Sequence, residues 1–147
     1  MKKFEFYSNS NEETKKIASD LAKTFTGGEV ILANGPMGAG KTAFCQGLGK
    51  EIGVKKIINS PTFNFIKIYK GDALSLYHVD CYRLENVSEQ QKDLGLDEIL
   101  GDKKTICYIE WPIFGDSSIL NYHPIIKLTI EFIDENKRKL VIEDERQ

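Results

Sequence analysis

Phe4 and Phe6 alternate with polar neighbours, which predicts a short strand over Lys3 to Tyr7. The Ser8-Asn9-Ser10-Asn11 cluster then offers turn and N-cap chemistry. Beyond it the spacing becomes helical. Ile17, Leu21 and Phe25 form one apolar stripe with Ala18 and Ala22 beside it, and Gly27-Gly28 stops the helix. Val30-Ile31-Leu32-Ala33 is a continuous apolar run that reads as a buried strand. From Ala43 to Glu51 the positions of Phe44, Leu48 and Ile52 mark a second helix with one buried face, ended by Gly53.

Phe63 to Tyr69 has the aromatic and isoleucine content of a strand. Gly71-Asp72 follows as a type II′ hairpin turn, so Ala73 to Asp80 returns antiparallel, with Leu74, Leu76, His78 and Asp80 on one face. Ser88 to Leu100 reads as broken helix, interrupted at Gly95 and recapped by Asp97. Thr105 to Glu110 is the most continuously apolar stretch downstream, as expected of a buried parallel strand. Ile126, Leu128, Ile130 and Phe132 alternate with Lys127, Thr129 and Glu131, and Asp134-Glu135-Asn136 turns the chain toward Leu140 and Ile142 as a half-exposed antiparallel hairpin. The fold class is α/β with a mixed parallel/antiparallel sheet, without repeat or linker, and one domain is expected over residues 1–147.

Composition narrows this picture. Hydrophobic residues make up 41 % and charged residues 29 % of 147, the balance of a folded protein with a single core. No apolar stretch approaches a membrane span, and the basic start Met1-Lys2-Lys3 lacks the apolar segment of a secretory signal, so a cytoplasmic location is expected. Cys45, Cys81 and Cys107 form no close pair and are read as buried or half-buried thiols. The net charge is −2 and the lysine pairs are scattered among acids, which leaves no nucleic-acid footprint; on a nucleic-acid substrate another protein would do most of the gripping.

The chemistry concentrates in Gly35-Pro36-Met37-Gly38-Ala39-Gly40-Lys41-Thr42, a phosphate-binding P-loop set between a predicted strand and a predicted helix. Gly35, Gly38 and Gly40 let the backbone bend so that successive N–H groups point into one concavity. The helix beginning near Lys41 adds the positive end of its dipole. Lys41 would reach the β/γ-phosphates, and Thr42 offers its hydroxyl to Mg²⁺.

A P-loop also needs a carboxylate for the magnesium shell, at the end of a buried strand beside the P-loop strand. Asp80 and Glu110 compete, and Glu110 is preferred because Asp80 sits on a hairpin return strand. Asp80, with His78 on the same face, suits orienting or deprotonating an attacking group. Arg83 suits a phosphate, Asp80 or a plain surface ion pair; Thr62 suits a γ-phosphate sensor or a strand start. Trp111, the only tryptophan, suits a core or interface position, or a wall of the site beside Glu110.

Together with the P-loop, the blocks Ser60-Pro61-Thr62-Phe63, His78-Val79-Asp80-Cys81-Tyr82-Arg83, Leu94-Gly95-Leu96-Asp97-Glu98 and Ile109-Glu110-Trp111-Pro112 resemble the bacterial TsaE (YjeE) family in order and spacing over nearly the whole chain. The resemblance implies a three-layer fold like that of P-loop NTPases, and a Mg-dependent ATPase needed to form threonylcarbamoyladenosine next to the anticodon of tRNAs that read codons beginning with A. It implies as partners a threonylcarbamoyltransferase of the TsaD type and its dimerisation partner of the TsaB type, with tRNA met mainly through that complex, and neither DNA nor membrane. Carried over residue by residue, Gly38, Ala39, Gly40, Lys41, Thr42 and Ala43 hold ATP, Thr42 and Glu110 hold Mg²⁺, and Asp80, Lys41 and Trp111 are needed for activity. The family also places nucleotide contacts near the segment that Ser8 to Thr14 match loosely. Pro36, Ala43 and Cys81 depart from the pattern, and Pro36 removes one backbone N–H from the loop.

Two other readings share the P-loop. A small-molecule kinase would need an arginine-rich lid, whereas the chain has only Arg83, Arg138 and Arg146. A switch driven by nucleotide occupancy needs no hydrolysis. A GTP version is disfavoured because Asn136-Lys137 is followed by Arg138-Lys139, without the aspartate of a guanine reader.

Overall fold

The computed structural model describes residues 1–36, 38–59, 66–80, 99–110 and 124–146 of the chain. Seven strands form one sheet: β1 (Lys2–Ser8), β2 (Val30–Asn34), β3 (Ile66–Lys70), β4 (Ser75–Asp80), β5 (Thr105–Glu110), β6 (Ile126–Asp134) and β7 (Lys137–Asp144), in the order β1-β7-β6-β2-β5-β4-β3. The inner four, β6-β2-β5-β4, run parallel, while β7, β1 and β3 pair antiparallel. The sheet is therefore mixed, as the alternation of apolar runs predicts. β5 is buried along its whole length because it lies between two parallel neighbours, which explains its unbroken apolar run.

The two described helices, α1 (Asn11–Ala22) and α2 (Lys41–Glu51), pack on one face of the sheet over Ile31, Ile106, Tyr108, Leu128 and Leu140. A second buried cluster, Val30, Leu32, Val79, Cys107, Ile109 and Ile125, lies on the opposite face. Ser10 caps α1 by accepting from Glu13 N–H at 3.1 Å, and Glu13 accepts from Asn9 N–H at 2.7 Å, which ties down the entry to the helix.

Several local expectations change. The fully buried stripe of α1 is Thr14, Ala18 and Ala22, while Ile17, Leu21 and Phe25 pack only partly, and the helix ends before Gly27-Gly28. Small residues face inward because α2 lies close: a Cβ on Gly47 would meet the Lys15 carbonyl oxygen at 2.3 Å. For the same reason α2 is buried on more than one face, with Ala43, Phe44, Cys45, Gly47, Leu48 and Gly49 all enclosed. The β3–β4 connection is wider than a two-residue turn, since Lys70 pairs with Ser75 and Gly71 N–H donates to the Leu74 carbonyl at 3.0 Å. Gly71 is there for close approach, because its Cβ would lie 2.4 Å from both the Ile52 and Leu74 carbonyl oxygens. β6 and β7 form the expected antiparallel hairpin, and β6 also pairs in parallel with β2; Ile126, Leu128 and Ile130 are buried, but Phe132 is 51 % exposed. The 63–65 part of the predicted third strand and the 88–98 part of the broken helix lie outside the described residues.

Candidate active site

The P-loop leaves the C-terminal end of β2, and the sheet register decides what stands beside it. Ala33 pairs with Glu110 across β2 and β5, and Glu110 pairs with Asp80 across β5 and β4. Paired residues of neighbouring strands share a face, so both carboxylates emerge on the side that carries α2. They are 5 % and 8 % exposed, at the carboxyl edge where open α/β sheets bind ligands. Glu110 is thus on the strand adjacent to the P-loop strand, as its assignment to the magnesium shell requires, and Asp80 stands one strand further out.

Within the loop, Gly38 and Gly40 take φ of 79° and 109°, which only glycine adopts cheaply. A Cβ at Gly38 would project into open space, with nothing within 4 Å. Gly40 is the N-cap of α2 and supplies no side chain to its first turn, so the helix N-terminus begins directly behind the loop. Lys41 is 7 % exposed, and its Nζ donates to the Gly35 carbonyl at 2.6 Å. Glycine backbone at a helix N-terminus with a lysine fits a polyphosphate, and Thr42 at the start of α2 and Glu110 at the end of β5 offer the kind of oxygen donors a hard cation such as Mg²⁺ takes.

A buried aromatic stack supports these groups. Tyr108 Oη donates to the Lys41 carbonyl at 2.7 Å, and its ring lies 6.2 Å from Phe44 and 5.5 Å, edge-on, from His78. His78 Nε2 contacts Glu110 Oε2 at 3.1 Å. Nearby, burial and then the Glu110 charge push the Cys45 thiol up; burial and then Asp102 push Cys107 up to about 12. Both thiols are enclosed and inert, as expected of structural cysteines.

Two neighbours complete the rim. Ser8 and Thr14 are buried, their hydroxyls 2.7 Å apart, and a Cβ on Gly40 would be 3.9 Å from the Thr14 methyl. The Ser8 to Thr14 segment therefore abuts the P-loop. Arg138, on β7 opposite Ser8 of β1, donates from Nη2 to the Gly38 carbonyl at 3.3 Å. Sequence reasoning gave Arg138 no role at the loop; the available signal was the basic run Lys137-Arg138-Lys139 directly after the hairpin turn. Thr62, Cys81, Arg83 and Trp111 lie outside the described residues.

The family model described as "Threonylcarbamoyl adenosine biosynthesis protein TsaE" matches residues 8–140, from the rim segment through the P-loop to Arg138. The chain belongs to the TsaE family. It is 43 % identical over 111 residues to the TsaE protein of Bacillus subtilis, covering 76 % of this chain and 68 % of that one. With the TsaE protein of Rickettsia bellii the identity is 38 % over 141 residues, covering 93 % and 92 %. Both relatives are named as tRNA threonylcarbamoyladenosine biosynthesis proteins. Among solved structures, Bacillus subtilis YdiB superposes with a TM-score of 0.78 at 28 % identity, covering 99 % of this chain and 87 % of YdiB. The α/β fold of this chain, with its mixed sheet, is thus shared with YdiB.

Proposed function

We propose that this chain is a Mg-dependent ATPase of the machinery that forms threonylcarbamoyladenosine in tRNA, acting in the cytoplasm with a TsaD-type transferase and its TsaB-type partner. The observation that carries the ATPase reading is the ladder Ala33–Glu110–Asp80, which sets two buried carboxylates beside the P-loop at one edge of the sheet. On this reading the loop N–H groups from Gly38 to Ala43 hold the β/γ-phosphates, and Lys41 exchanges its Gly35 carbonyl for a phosphate oxygen. Thr42 and Glu110 hold Mg²⁺, which neutralises charge on the phosphoryl oxygens. Asp80 orients the attacking water and accepts its proton. Arg138, already at the Gly38 carbonyl, adds positive charge at the rim. The tRNA is met through the transferase, in keeping with a net charge of −2.

Phosphate release from Mg-ATP tests the reading, first with the protein alone and then with transferase, partner and tRNA. Turnover is expected to be slow alone, stimulated by the complex, and lost in Asp80→Ala. Equal modification of tRNA by Asp80→Ala and the parent protein would instead favour an occupancy switch, and a phosphorylated metabolite a kinase.

A further inference from the structure

Among the described residues, Glu110 is held by His78. His78, fully buried on β4, lies diagonally across the ladder from it, with Nε2 3.1 Å from Oε2. A carboxylate only accepts hydrogen bonds, so Nε2 is the donor. Nδ1 has no partner among the described residues, where the contact to Glu110 is the hydrogen bond that orients the ring. The ring is also wedged edge-on against Tyr108, which is stacked on Phe44 and bonded to the Lys41 carbonyl. Turning His78 away would therefore open the core beneath the P-loop. Asp80, paired with Glu110 in the ladder, brings a second carboxylate to the same edge.

We propose that His78 is a positioning residue for the metal site: by donating to Oε2 it fixes the orientation of the Glu110 carboxylate that, with Thr42, would hold the cation. The proposal rests on the assignment of Glu110 to Mg²⁺ made above. Removing a hydrogen-bonding group behind a metal ligand commonly weakens metal affinity about 10- to 100-fold.

Mn²⁺ binding in the presence of ADP, read by electron paramagnetic resonance, tests it on the full chain. His78→Leu should lower Mn²⁺ affinity about 10- to 100-fold, with ADP affinity in EDTA unchanged. His78→Gln, whose amide reaches about as far as Nε2, should restore most of the loss. Parent-like Mn²⁺ affinity in His78→Leu overturns the proposal, and so does an equal loss of metal-free ADP affinity, which a merely structural role would cause. Should His78→Leu fail to fold, His78→Asn replaces it, since its amide is too short to reach Glu110; equal Mn²⁺ affinity in the Asn and Gln variants overturns the proposal. Glu110→Gln separates the two levels: if it binds Mn²⁺ as the parent does, Glu110 is not the metal carboxylate and the reading itself fails.

Discussion

Lys41 illustrates how much of the site is decided by single residues. Its ammonium rests on the Gly35 carbonyl, so under the proposed function nucleotide binding would exchange one charge-assisted hydrogen bond for stronger ones to phosphate. Lys41→Met should weaken ATP binding by about 1.5–3 kcal/mol, the scale of a hydrogen bond to a charged group, in a calorimetric titration. Tyr108→Phe removes the donor to the Lys41 carbonyl and should cost about 1 kcal/mol in urea unfolding, the fold being retained. Lys41, Thr42 and Glu110 were readable in the sequence only as candidates, through a local pattern and a strand end. The His78–Glu110 contact was not, because it joins strands β4 and β5 across 32 positions and depends on their register. Arg138 was missed for a related reason: its loop partner Gly38 is 100 positions away.

At the scale of elements, hydrophobic spacing located the helices and strands but not the closeness of their neighbours. The Ile17, Leu21 and Phe25 stripe is the more hydrophobic one, yet the helix turns Thr14, Ala18 and Ala22 inward because α2 approaches too closely for larger side chains. Glycines inside a predicted helix were the overlooked sign. Gly47→Ala would press its methyl against the Lys15 carbonyl and Ala18 Cβ and force α1 outward. We expect a loss of about 1–3 kcal/mol in chemical denaturation, the usual cost of overpacking, despite alanine's better helix propensity. The helix caps are simpler. Ser10→Ala should cost about 1 kcal/mol by removing the acceptor for Glu13 N–H.

For the whole molecule, Arg146, just beyond β7, ties the last strand to the segment that follows α1. Arg146 bonds Asp144 through Nε and Nη2, reaches Thr24 Oγ1 at 2.9 Å, and lies over Phe25. Its side-chain hydrogen bonds hold the Asp144 carboxyl below its ordinary value. A carboxyl with a lowered folded value binds fewer protons folded than unfolded, so its stabilisation is complete above about pH 4 and fades as pH falls through the folded value. Asp144→Asn should lower the melting temperature at pH 7 and narrow its gap to the parent in increasingly acid buffer, measured by calorimetry. No described helix is long and apolar enough to cross a membrane. The unbroken pairing of β4, β5 and β2 has a mechanical meaning as well. Because Asp80, Glu110 and the root of the P-loop are stations on one hydrogen-bonded ruler, the distances among them are set by the sheet, and under the proposed function they would stay the same whichever nucleotide is bound. Amide exchange over residues 105–110 should therefore be the same with ADP as with a non-hydrolysable ATP analogue. On that proposal, any signal that tells one nucleotide from the other would be written off the ruler, in the loop backbone and in side chains such as Lys41 and Arg138 that hold loop carbonyls here.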